Sequence, residues 1–432
     1  MKHWEHGLLQ VSENKRYLKN GEHPFFWLGD TAWLLFQQCS KDEAWTYLKN
    51  RKEKGFSVIQ PTLIHSMPGE ESSSLATVKY DVTTKAYWEH CDQIIEMAEE
   101  LGLYMGLLPA WGSVVKEKIL NADNVERYAR FLGERYKNYP NIIWILGGDI
   151  RGSDGLDVYP KFGRLLKELT PDKLITFHPF GRTASSLWFH EEDWLDINMF
   201  QSGHRRYDQA SLGEWDDNAS KEEFFGEDNW RYVDRDLSYD TVKPTVDGEP
   251  SYEQILQGLH DQSQPYWQAC DVRRYAYWSV FQGAMGHTYG DNAIMQFYNG
   301  SGGNYGVKEV WKEALHHEGS GHMMHLADLM KSVNFTNGQP KEELLISGQK
   351  EKYERIAVFA GEDYILCYDY SGREFSLNLS GYQGKKLYAY WMDPVSGVYS
   401  YLQDMTNHDV ITVKPVARFT GQNDWVLVIR EW

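Results

Sequence analysis

The feature that most constrains this chain is an alternation, repeated eight times, of a short continuously apolar run with a longer stretch of helical character. The apolar runs fall at residues 25–30, 57–63, 104–111, 141–146, 174–180, 197–201, 244–248 and 284–289. Helical stretches between them include 40–54, 85–101, 121–137, 159–168 and the aromatic 266–281. Ser40-Lys41-Asp42-Glu43 opens the first of these with a capping box. Trp88, Cys91, Ile94, Ile95 and Ala98 mark one face of the second. Strands without polar alternation need cover on both faces, and a parallel barrel clad in helices supplies it. The expected fold is therefore α/β, a (β/α)8 TIM barrel over residues 1–333.

A doubly wound open sheet would produce the same alternation. Its nucleotide fingerprint is missing, because no G-x-G-x-x-G follows the first strand. The glycine-rich Gly300-Ser-Gly-Gly-Asn-Tyr-Gly306 lacks the Lys-Ser/Thr of a phosphate loop and reads as a wide turn.

From about residue 335 the texture changes to short alternating strands at 355–360, 364–370, 375–379, 386–392, 410–413 and 425–430, split by turn signals. Residues 334–432 are expected to form a small all-β sandwich, joined to the barrel by helices at 307–315 and 321–332. His316, His317, His322 and His325 have the composition of a metal tract, but Gly319-Ser320-Gly321 is expected to break a single helical face there.

A formal charge of −18 excludes a duplex nucleic-acid partner and disfavours an anionic membrane surface. No 18-residue apolar run appears, and the opening MKHWEHGLLQV lacks the apolar core of a leader, so a cytoplasmic location is expected. Four cysteines, at 39, 91, 270 and 367, show no metal-like spacing and are expected to be reduced and mostly buried. Aromatic residues make up 15% of the chain, with 17 Trp and 28 Tyr. Flat rings with a polar tip suit sugar faces as well as cores.

In a barrel the C-terminal ends of the strands face the active-site mouth. Two acids stand out at such ends: Asp149, behind Gly147-Gly148, and Glu249, in Val246-Asp247-Gly248-Glu249-Pro250. Each alone reads equally well as a turn acid. Together, on strands four and seven, they face one another across the mouth, as hydrolysis of a glycosidic bond requires. Asp30, Gln60, His65, His178, Gln201, His204, Asp247, His287 and Tyr289 are the polar strand-end candidates for binding sugar hydroxyls. Trp111, Tyr252 and Trp278 are the candidate sugar-facing rings, Trp278 competing with a place in the core. No His-x-His follows strand one and no G-x-S-x-G elbow appears, so neither a metal, a cofactor nor a catalytic serine is expected. A barrel that binds carbohydrate without turning it over is the alternative.

The stretches Pro24-Phe-Phe-Trp-Leu-Gly-Asp-Thr-Ala-Trp33, Lys54-Gly-Phe-Ser-Val-Ile-Gln60, Asn141-Ile-Ile-Trp-Ile-Leu-Gly-Gly-Asp149, Lys243-Pro-Thr-Val-Asp-Gly-Glu-Pro250 and Arg273-Arg-Tyr-Ala-Tyr-Trp278, with Gly286-His-Thr-Tyr-Gly290, resemble the apiosidase-like glycoside hydrolases. That resemblance covers about residues 8–330, and the tail is similar to the sandwich often fused behind that barrel. It implies release of terminal apiose or a related sugar from pectin-type glycans, with Asp149 as acid/base and Glu249 as nucleophile.

Overall fold

Eight parallel strands wrap one axis: β1 (Trp27–Thr31), β2 (Val58–Gln60), β3 (Tyr104–Leu107), β4 (Ile142–Ile150), β5 (Ile175–Pro179), β6 (Asn198–Phe200), β7 (Thr245–Asp247) and β8 (Gly286–Tyr289). The computed structural model describes residues 2–67, 79–209, 225–406, 408–418 and 422–431. Hydrogen-bonded neighbours run β5-β4-β3-β2-β1-β8-β7-β6. The remaining seam, β5 to β6, is closed by other means. Asp196 N–H donates to Ile175 O at 2.9 Å, Thr176 Oγ1 donates to Ile197 O at 2.7 Å, and Ile175 N–H donates to the Asp196 carboxylate at 2.8 Å.

Each strand is followed by a helix: α1 (Lys41–Glu53), α2 (Lys85–Leu101), α3 (Val125–Tyr136), α4 (Tyr159–Leu169), the single turn α5 (Ser186–Phe189), α6 (Trp230–Leu237), α7 (Ala269–Phe281) and α8 (Glu318–Lys331). The capping box at the head of α1 forms as the sequence predicts, Ser40 accepting from Glu43 N–H. Helix α6 leaves no clear trace in the sequence, since eight residues, half of them charged, are too few for a periodic signal.

The glycines at 319 and 321 do not break α8. They lie inside it. A Cβ at residue 319 would sit 2.4 Å from Glu253 Oε2 and 2.8 Å from Val272, so glycine there lets the helix approach the barrel closely. Of the joining helix expected at 307–315, only Trp311–Ala314 is helical. The turn-rich N-terminus is a three-stranded antiparallel sheet, Leu9–Val11, Leu18–Asn20 and His23–Phe25. It sits at the end of the barrel where the strands begin, Asn20 Nδ2 donating to Tyr104 OH at 2.7 Å.

The C-terminal strands are β9 (Ile356–Ala360), β10 (Tyr364–Asp369), β11 (Phe375–Asn378), β12 (Tyr388–Met392), β13 (Tyr399–Asp404), β14 (Val410–Val413) and β15 (Trp425–Arg430). One antiparallel sheet has the order Gln339–Pro340, β9, β10, β15, β12, β13, and a β11–β14 ribbon forms the other. Strand β13 was not visible in the sequence, being a largely exposed edge without an apolar face. Alternation decides the layering. Ile356, Val358, Ile365, Cys367, Leu427 and Ile429 form the core between sheet and ribbon, while Ala357, Phe359, Leu366, Tyr368, Val426 and Val428 join the barrel core. Arg273 of α7 anchors the junction, with Nε and Nη2 donating to the two Asp424 oxygens at 2.8 and 2.9 Å. All four cysteines are unpaired.

Asp30 turns away from the mouth. It is fully buried against α1, accepting from Arg51 Nε at 2.6 Å and from Tyr47 OH. Breaking a buried pair by removing one partner strands the other charge. Arg51→Met is expected to lower the unfolding free energy by about 3–5 kcal/mol, read as a lower urea midpoint at unchanged slope.

Candidate active site

The ladder fixes which strand-end residues reach the mouth. Tyr289 lies beside Asp30 and His287 beside Leu28, while Asp247 lies beside His287. Parallel neighbours in register share a face, so Asp30, Asp247, His287 and Tyr289 all point outward to the helices. Their partners agree. Ser202 and Asn229 donate to Asp247, and Ser279 Oγ of α7 stands 3.3 Å from His287 Nδ1. Tyr289 OH donates to Glu253 at 2.6 Å. These four residues, expected at the sugar, lie instead in the wall of the barrel. Trp278 is likewise buried, with the Arg274 guanidinium 4.9 Å from its ring centre. Gln60 does face inward, but its Nε2 is spent on Gly248 O at 3.1 Å, tethering the peptide before Glu249.

The remaining candidates converge. His65, Trp111, Asp149, Gln201, His204, Glu249 and Tyr252 line one cavity of about 100 Å3 at the mouth. His178 lies immediately beneath them, its Nε2 3.1 Å from Glu249 Oε2. That approach is a close contact rather than an aligned hydrogen bond, since neither atom finds one. His204 Nε2 donates to Glu249 Oε1 at 2.8 Å in good alignment.

Asp149 is presented by a distortion of β4. The strand does not stop at Gly147 as the sequence suggests but continues to Ile150. Gly147 pairs with His178 and Ile150 with Pro179, so Gly148 and Asp149 bulge out of the ladder. Gly147, Gly148 and Asp149 all have positive φ, at 91°, 100° and 47°. A Cβ on Gly147 would meet His178 O at 2.3 Å, and one on Gly148 would meet the Trp111 ring at 2.7 Å. Two glycines are therefore what allows a strained, non-glycine Asp149 to be aimed into the cavity.

Glu249 is held by its backbone. Gly248 N–H donates to Phe200 O at 2.8 Å, and Gly203 N–H donates to Glu249 O at 3.1 Å. Tyr252 packs its ring edge-on to His204 at 4.8 Å, in space that a Cβ on Gly290 would fill.

The two carboxyls are driven apart electrostatically. Burial, and then the charge of Glu249, push Asp149 up to about 6, against the opposing influence of His178, Gln201 and His204. Burial also opposes ionisation of Glu249, but His178 and His204 outweigh it and hold that carboxyl at about 2. Exposure alone would give the reverse division, so the histidines decide it. Glu249 is buried at 5%, whereas Asp149 is half-buried and open to the cavity. Burial lowers His65 to about 3, leaving a neutral ring stacked 4.9 Å from Trp111.

Sequence reasoning missed Trp33, Phe180, Arg182, Arg205, Met295 and Tyr305, which also line the cavity. Trp33 was quoted only within a motif; its ring lies 5.1 Å from Trp111 and edge-on to His178 at 5.2 Å. Met295 ends a single helical turn after β8, and the rest sit in loops beyond the strand ends, where no periodicity marks them. Among the described residues, one group has metal-like spacing: ligand atoms of Asp149, His178 and Glu249 lie within 4.8 Å of one another. Two oxygens and one nitrogen there, with one acid favouring its proton and the other ionised, suit proton transfer beside an anion.

A cavity at the strand ends of a parallel barrel, holding one protonated and one ionised carboxyl, defines a glycoside hydrolase site. The chain belongs to the apiosidase-like family: the model described as "Apiosidase-like, catalytic domain" matches residues 12–337. A second, described as a putative collagen-binding domain of a collagenase, matches residues 339–430. A solved structure titled glycoside hydrolase is 40% identical, with a TM-score of 0.92, covering 100% of this chain and 98% of its own. Another, titled a glycoside hydrolase of family 5 from Bacteroides vulgatus, is 38% identical at TM-score 0.92, covering 100% and 95%. A putative glycoside hydrolase from the same organism shares the fold at 13% identity and TM-score 0.64, covering 99% of this chain and 83% of its own. No curated relative matches the chain.

Gly148→Ala is expected to leave the protein folded but to lower kcat by about 100-fold, the scale of a 1 Å misplacement of a reacting group. Steady-state kinetics beside a circular dichroism melt would check this.

Proposed function

We propose that this glycoside hydrolase is retaining and exo-acting, releasing a terminal apiose or related pentose from pectin-type oligosaccharides. The observation that carries the reading is the carboxyl pair: one oxygen of Asp149 and one of Glu249 lie within 4.8 Å of each other. Retaining enzymes hold their carboxyls about 5–5.5 Å apart and inverting ones about 6.5–9.5 Å. Asp149 delivers its proton to the leaving oxygen while Glu249 attacks the anomeric carbon, giving a glycosyl-enzyme. Asp149, now ionised, takes a proton from the water that releases the sugar. His204 and His178 keep the nucleophile ionised and aimed.

Trp33 and Trp111 offer ring faces, and neutral His65 offers a hydroxyl partner. Arg182 and Arg205 line the same cavity, a local reversal of sign in a chain of net charge −18. That reversal favours an acidic glycan, which pectin is.

Glu249→Gln is expected to abolish turnover, and Asp149→Asn to cost about 10²–10⁴ in kcat, each with an unchanged melt. Proton NMR of the first-formed sugar distinguishes the stereochemistry: retention supports the pair as assigned, and inversion overturns the nucleophile. Activity needs Asp149 protonated and Glu249 ionised. kcat/KM should therefore fall as pH rises through about 6, and hold on the acid side toward about 2 for as long as the protein stays folded. Incubation with EDTA is expected to leave the rate unchanged.

A further inference from the structure

The C-terminal sandwich meets the barrel at a second buried charge, away from Arg273. Arg274 of α7 is fully buried and donates from Nη2 to Glu227 at 2.6 Å. Four rings surround its guanidinium: Tyr275 and Trp278 from α7, at 4.8 and 4.9 Å, and Tyr353 and Tyr370 from the C-terminal domain, at 5.0 and 5.2 Å. Glu227, also fully buried, takes two further donors on its other oxygen: Tyr353 OH at 2.6 Å and Tyr207 N–H at 3.3 Å.

Glu227 and Tyr207 both belong to the connection between β6 and α6, the one that carries His204 to Glu249. Residues 204–206 are tied on their far side to the loop after β7, where Gly258 N–H donates to His204 O at 2.7 Å and Arg206 Nη1 donates to Gln257 at 3.0 Å. On the near side the Tyr207 amide is tied to Glu227. The Tyr353 ring also packs edge-on to Tyr207 at 5.5 Å. One hydroxyl of the sandwich thus completes the clamp on the segment three residues from His204. Tyr353 is 41% exposed, so bulk packing does not explain its placement.

We propose that Glu227 is a positioning residue through which Tyr353 of the C-terminal domain holds the β6–α6 connection so that His204 meets Glu249. The sandwich then acts as a brace for the catalytic loop. The kinetic part rests on the glycosidase reading above; the mechanical part does not.

The test uses the full-length protein and two variants that each lose one hydroxyl of the C-terminal domain. Tyr353→Phe removes the bond to Glu227. Tyr368→Phe removes a bond to Asp424, the sandwich acid that accepts from Arg273 at the other junction, and that junction does not touch the loop. Hydrogen–deuterium exchange of a peptide spanning residues 202–209 should quicken in Tyr353→Phe at an unchanged melting temperature, and stay as in the wild type in Tyr368→Phe. On an aryl apioside, Tyr353→Phe should lower kcat about tenfold with KM nearly constant, and Tyr368→Phe should change neither. Unchanged exchange in Tyr353→Phe, or equal quickening in both variants, overturns the brace. Faster exchange with a wild-type kcat overturns its link to His204. A wild-type protein inert toward every glycoside speaks against the functional reading alone, and the exchange comparison still decides the brace.

Discussion

The site depends on keeping one carboxylate charged where there is almost no water. Glu249 is 95% out of solvent, and desolvation alone would neutralise it. His204 and His178 prevent that, one by an aligned hydrogen bond and the other by close approach. The charge so retained raises the proton affinity of Asp149. A single arrangement thereby sets both roles, and the division of labour between two chemically similar acids follows from their surroundings.

The barrel scaffold serves that arrangement at several distances. Gln60, reaching across from β2, and Phe200 of β6 hold the peptide of Gly248. On the opposite strand, Gly147 and Gly148 absorb the left-handed conformation that Asp149 shares. Strain of this kind persists only where neighbours over-determine it. Trp111 and His178, packed where side chains on those glycines would be, supply that constraint.

Much of this was legible beforehand. Eight apolar runs and their helices gave the barrel, and the acids at the ends of strands four and seven were identifiable from spacing. What could not be read was the parity of the strands. In Phe26-Trp27-Leu28-Gly29-Asp30 both faces are largely apolar, and Thr245-Val246-Asp247 is too short for its alternation to mark a face, so the sequence does not tell which residue points to the mouth. Asp30, Asp247, His287 and Tyr289 were all placed on the wrong face for that one reason, and the register of β1, β7 and β8 shows it at once. The bulge at Asp149 was hidden for a related reason: paired glycines signal a stop as readily as a kink inside a continuing strand. The cavity arginines lie in irregular loops, where position depends on the whole fold.

The seam between β5 and β6 separates two kinds of support. Everywhere else around the cylinder, adjacent strands are joined by a backbone ladder; here a single backbone bond, a carboxylate and a hydroxyl do the joining. His178 stands on one lip, and Gln201 and His204 follow the other. The groups that govern the nucleophile thus straddle the one gap that can widen without sacrificing a ladder. The barrel's chemistry and its one unladdered seam thus share an address.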